Sequence, residues 1–182
     1  MIEEIRAAMP AYRIQGGEKV FVLRKWIHFG MAPKKVIRLE GSRGFQPLEE
    51  GLNGKKGPLF FTGMDYKVCY EAEGSCLAGL PLSRFEYDFS MVNQTLYQFY
   101  YVFRQEDRSV FFPLSLALQA ENGPPNNRTG RKTVKYTLAP KDTITVRRNW
   151  KVGDGDEERV LIDLWQSDKG TCTLACELLK YI

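Results

Sequence analysis

Apolar and polar residues alternate with a period of two along most of this 182-residue chain. In residues 84–92, RFEYDFSMV, the side chains of Phe85, Tyr87, Phe89 and Met91 take one side and Arg84, Glu86, Asp88 and Ser90 the other. Such alternation marks a half-buried strand with one wet face. KTVKYTLA repeats it through Val134, Tyr136 and Leu138, and SVFFPLSLALQ through Leu114, Leu116 and Leu118, where Pro113 suggests an edge or a bulge. Towards the end, DTITVRRNWKV, ERVLIDLWQS and TCTLACELLKYI are separated by the Gly- and Asp-rich turns GDGDE and SDKG, which predicts an antiparallel meander. Upstream, EKVFVLRKWIHF and KKVIRLE flank GMAP, QEDRS joins TLYQFYYVFRQ to SVFFPLSLALQ, and LFFTGMDYKVCYEA adds a further strand. Only residues 1–9 read as a helix, with Ile2, Ile5 and Met9 at helical spacing, acids in the first turn and Pro10 closing it.

This pattern predicts an all-β single domain over 1–182, of about ten antiparallel strands with a short N-terminal helix. Two long loops, 41–58 and 120–131, exceed what connection needs and are candidate functional elements. A sheet of this size must hide its edges, and closure into a barrel or stacking as a two-layer β-sandwich would do so. The many short hairpins favour the barrel, because sandwiches use longer crossovers. The outline is similar to lipocalin-type barrels in architecture alone, since the GxW signature near the first strand is absent.

Composition changes little in this picture and charge changes some of it. The chain is 43% hydrophobic and 26% charged, which excludes wholesale disorder. No apolar stretch approaches the roughly 20 residues of a membrane helix. MIEEIRAAMP begins with acids and has no apolar run, so a cytoplasmic chain, or a mature one whose leader is gone, is expected. The net charge of +4 divides into +5 over residues 1–60, −4 over 61–127 and +3 over 128–182. Nucleic-acid binding is disfavoured, because the aromatics alternate to faces opposite the basic residues and the total charge is modest. Cys69-x6-Cys76 and Cys172-x3-Cys176 miss the spacing of common zinc sites. On one strand Cys172 and Cys176 would lie about 13 Å apart, too far for a disulfide, and read as small buried hydrophobes. No metal or cofactor is implied. His28 is the single histidine, and no nucleophile, acid pair or phosphate loop forms a catalytic constellation.

The candidate chemistry lies in lone cations on apolar strand faces. TLYQFYYVFRQ puts Tyr97, Phe99, Tyr101 and Phe103 on one face and Leu96, Gln98, Tyr100, Val102 and Arg104 on the other. Arg148 interrupts Ile144, Val146, Trp150 and Val152, and Arg24 shares a face with Val20, Val22, Trp26 and His28. A buried arginine is costly unless it meets an acid or an anionic ligand. One reading makes Arg24, Arg104 and Arg148 converge on an anionic group, with Trp26, His28, Tyr100 and Trp150 around the apolar body of an elongated small molecule. The other pairs the arginines with internal acids such as Asp163 or Glu177. It makes the chain a structural or assembly β-sandwich subunit of a larger complex, such as a capsid, tail or multi-protein machine, with a protein partner.

Overall fold

The computed structural model describes residues 1–49, 57–104, 109–126, 144–154 and 158–179. Its architecture is mostly β, with two antiparallel sheets and three helices. The chain opens with α1 (Ile2–Ala8), followed by a small sheet of β1 (Ala11–Gln15), β2 (Glu18–Arg24) and the two-residue β3 (Ile27–His28). Next comes α2 (Pro33–Gly41). The larger sheet is built from the two-residue β4 (Phe60–Phe61), β5 (Tyr66–Leu77), β6 (Leu80–Phe89), β7 (Leu96–Arg104), β8 (Ile144–Val152), β9 (Val160–Ser167) and β10 (Thr171–Leu178). Its spatial order is β4-β5-β6-β7-β10-β9-β8, and α3 (Phe111–Asn122) lies between β7 and β8 in the chain.

Among the described residues the expected closed, lipocalin-like barrel is not formed. The strands divide between two sheets, and two segments expected as strands are helices. KKVIRLE lies in α2, where Pro33 occupies the first turn, Val36 and Glu40 turn inward, and Lys34, Lys35 and Arg38 face out. SVFFPLSLALQ lies mostly in α3. Its leucines satisfy a period of two, but Phe111, Leu114, Ser115, Ala117 and Leu118 form the inward stripe at helical spacing. Phe112 and Leu116 point outward. Pro113 sits in the first turn, where its missing N–H has no intrahelical partner to lose. KTVKYTLA, residues 50–56 of the first long loop and 127–131 of the second lie outside the described residues.

One face of the larger sheet carries the core. Tyr70, Phe85, Tyr87, Phe99, Tyr101 and Phe103 are buried there beside Cys172, Leu174, Cys176, Ile162, Leu164 and Trp150. Phe21 and Leu23 of the small sheet, Val36 of α2 and Leu114 of α3 belong to the same cluster. The rings interlock: Tyr70 stacks on Phe85 at 4.9 Å, and Phe99 meets Tyr101 edge-on at 4.6 Å. The last three strands pair as the meander predicted, Cys176 opposite Ile162 and Trp150 opposite Ile162 from the other side. The wet face expected of β6 is largely buried instead. Glu86 and Asp88 flank the strand opposite Lys67, and Met91 lies past the strand end in an exposed turn.

Candidate functional site

The two faces of β7 answer what its aromatics do. Phe99, Tyr101 and Phe103 are core, while Tyr100 lies on the opposite face in a smaller cluster with Ile144, Trp165 and Ala175. Arg104 is exposed at the strand end and pairs with Glu73 at 3.1 Å. Arg24 reaches the core face from β2, and Arg148 meets α3. The three arginines therefore meet three different partners, and the described residues place no common anion site among them.

Arg24 sits over the Phe85 ring at 4.2 Å and donates from Nε to Glu40 Oε1 at 3.0 Å. Tyr87 donates its hydroxyl to the same oxygen at 2.6 Å, and Arg24 Nη1 lies 3.4 Å from the Tyr101 hydroxyl. Glu40 is 0% exposed, so this is a buried ion pair with hydrogen-bonded support. Burial pushes the Tyr101 phenol up to about 12, against the pull of Arg24, and pushes Tyr87 up as well, helped by Glu40. The acid that answers Arg24 is on α2. Reading KKVIRLE as a strand hid it, since a strand sets Glu40 with Arg38 on the face opposite Ile37 and Leu39, whereas the helix turns Val36 and Glu40 inward and Arg38 outward. Asp163, named from the sequence as a partner, is held instead by Arg147 Nε at 2.9 Å.

On the opposite face of the larger sheet, Lys67 Nζ lies 2.9 Å from Glu86 Oε2 and 2.9 Å from Asp88 Oδ1, with hydrogen-bond geometry to Glu86. Arg84 Nε donates to Glu86 Oε1 at 2.7 Å, and the ammonium faces the Tyr100 ring at 4.9 Å. Burial raises the Asp88 carboxyl to about 6 although Lys67 pulls it down. Burial would lower Lys67, but Glu86 and Asp88 outweigh it and hold the ammonium above its usual range. Cys69, on the same strand, is buried and its thiol is raised, first by burial and then by Glu86. Cys172 and Cys176 are raised by burial too. A raised thiol is a poor nucleophile at neutral pH, and Cys172 and Cys176 are buried as the sequence reading expects, as apolar filler.

The remaining site candidates separate. Trp150 is buried and donates from Nε1 to the Gly123 carbonyl at 2.9 Å, closing α3 onto β8. Arg148 is half-buried, donates to Ser115 Oγ and faces the Phe111 ring at 5.5 Å. His28 is half-buried, with Nδ1 2.7 Å from the Phe29 carbonyl oxygen. Trp26 leaves the inward face altogether. Arg24 pairs with Ile27 across a two-residue turn made of Lys25 and Trp26, with φ of 42° and 71°. Such a turn favours Asn-Gly, because a bulky L-residue at positive φ is strained. Here the second position carries a tryptophan that is 55% exposed. Arg43 braces the turn by donating from Nη2 to the Lys25 carbonyl.

Among the described residues, no group of three or more His, Cys, Asp or Glu side chains is arranged to hold a metal ion. No described helix is long and apolar enough to cross a membrane. Compared with family models, with curated proteins and with solved structures, the chain matches none.

Proposed function

We propose that this chain is a non-catalytic assembly subunit that engages a protein partner through the Lys25–Trp26 turn. The carrying observation is the turn itself. Two side-chain-bearing residues at positive φ cost on the order of 1–3 kcal/mol each, and an indole left 55% exposed recovers only part of what its burial could offset. Strain of that kind persists where a function uses the residue it presents, and tryptophan is the side chain most enriched at interface hot spots. Lys25 is exposed in the turn and Arg43 braces it, so the matching surface is an apolar groove with an acidic rim.

Two further observations favour assembly over holding an elongated anionic small molecule. The described interior is filled by aromatic rings in contact, and the arginines expected to anchor a ligand have separate protein partners. Native mass spectrometry on freshly purified protein tests the choice. Oligomers or protein complexes without small-molecule adducts, dissociated in Trp26→Ala, are the expected result. A stoichiometric small-molecule mass on the monomer, retained in Trp26→Ala, would reinstate the ligand reading.

A further inference from the structure

A second surface stands apart from the Trp26 turn, at the end of the larger sheet where β4 meets β5 and β6 meets β7. Phe61 pairs with Tyr66, Tyr66 with Phe89, and Phe89 with Leu96, so two hairpin tips lie side by side. With strands about 4.8 Å apart, the tips are about 10 Å from each other. The first, Thr62–Asp65, exposes Met64 to 64%; the second, Ser90–Thr95, exposes Met91 to 53% and Val92 to 91%. A third segment joins them, because Gly30 N donates to the Leu96 carbonyl at 2.8 Å and Leu96 N donates to the Met31 carbonyl at 2.9 Å. From there α2 begins, with Lys34 and Lys35 exposed in its first turn.

These tips are built, not loose. Met64 N and Asp65 N both donate to Thr62 Oγ1, and Tyr97 donates its hydroxyl to Asp65 Oδ2 at 2.7 Å. In the other tip, Gln94 N donates to the Ser90 carbonyl, Val92 N to Ser90 Oγ, and Thr95 N and Oγ1 to Asn93 Oδ1. These hydrogen bonds fix the two turns and leave Met64, Met91 and Val92 exposed. Across residues 30–35, 62–65 and 90–95 the only acid is Asp65, engaged by Tyr97 and with Glu177 close by, while Lys34 and Lys35 follow the third segment at the start of α2. Clustered exposed apolar side chains mark a docking site, and the sign of the flanking charge identifies what docks.

We propose that this end of the molecule seats on an anionic lipid surface. Met64, Met91 and Val92 enter the boundary between headgroups and acyl chains, a depth of about 5–10 Å. Lys34 and Lys35 stay at headgroup level, where a negative surface potential attracts each of them. Rigid tips lose little conformational freedom on insertion, and the protein touches the bilayer without crossing it.

Co-sedimentation with vesicles tests this on the full chain. The protein should pellet with phosphatidylcholine vesicles containing about one-third phosphatidylserine, and far less with phosphatidylcholine alone or in about 0.5 M salt, where charge attraction is screened. Met91→Gln with Val92→Gln, both at exposed turn positions, should lower partitioning about tenfold or more. Lys34→Gln with Lys35→Gln should weaken binding to anionic vesicles and leave the residual binding to neutral ones unchanged. Circular dichroism of each variant should match the parent. Absence of vesicle binding by the parent would overturn the proposal, as would binding that the tip variant retains in full. So would a parent that self-associates in sedimentation velocity and loses this in the tip variant without binding vesicles, because the tips would then hold a second copy. None of these outcomes depends on Trp26, so assembly through that turn stands or falls separately.

Discussion

Arg24 and Arg148 look alike in the sequence pattern, each a lone cation among large apolar residues, and differ in what they meet. Arg24 neutralises a fully buried carboxylate; Arg148 meets a serine hydroxyl and an aromatic ring. Replacing each with methionine should separate them. Arg24→Met leaves Glu40 with Tyr87 and a longer contact to Arg43 at 3.7 Å and is expected to cost about 3 kcal/mol, whereas Arg148→Met should cost about 1 kcal/mol or less; urea unfolding of both variants reads the difference. Asp88 gives a second contrast, this time with pH. In the fold it binds its proton up to about pH 6, and in the unfolded chain only to about pH 4. Across that interval the folded state holds the extra proton, so this residue makes stability fall as pH rises, by about 3 kcal/mol in all. Burial sets the size of the effect, Lys67 opposes it, and Glu86 and Asp65 add to it. Asp88→Asn keeps the Lys67–Glu86 bond and should flatten the stability profile between about pH 4 and 6, measured by denaturant titration at each pH.

At the scale of the element, the Lys25–Trp26 turn is the place where local preference and observed backbone disagree most. Trp26→Gly removes a side chain that positive φ disfavours and is expected to raise unfolding free energy by about 1 kcal/mol while weakening partner binding. A thermal melt and a binding assay on one variant check both halves. The same turn shows why sequence reading located some elements and missed others. β6, β9 and β10 were legible because alternation continues through each of them and Gly or Asp closes the meander turns. The turn in EKVFVLRKWIHF carries no Gly, Asn or Asp, so alternation runs unbroken across it and Trp26 counts as inward. In α3, leucines at every second position mimic a strand, and only Ala117 and Ser115, small and unremarkable in a list, complete the helical stripe. In α2 one of the buried residues is a glutamate, which no hydrophobic pattern selects. Membership of the core was therefore easier to read than the polar network within it.

For the molecule as a whole, burial sorts the four cysteines without any bridge between them. Cys69, Cys172 and Cys176 are buried, and Cys76 is exposed near the end of β5. A thiol reagent should label Cys76 rapidly in the native protein and the other three only when the fold opens, so the slow phase should follow the unfolding rate across a denaturant series. Fast native labelling of Cys172 or Cys176 would contradict the core assigned to β10. The lipid-facing tips and the Trp26 turn add exposed apolar area at two separate places, and both lie on rigid hairpins rather than in the long loops that sequence reading favoured.

The strand order of the larger sheet also bears on how the chain matures. β7 is flanked by β6, its neighbour in sequence, and by β10, with Arg104 opposite Thr171. During synthesis the aromatic strand therefore leaves one edge unpaired until nearly all of the C-terminal meander has emerged. An edge of high β-propensity, with a single charge at its far end, is a template for joining other chains. Contacts so distant along the chain also slow folding. The meander thus acts as the closing cover of a nascent protein, and a chain that ends before Thr171 leaves the β7 edge open to other strands.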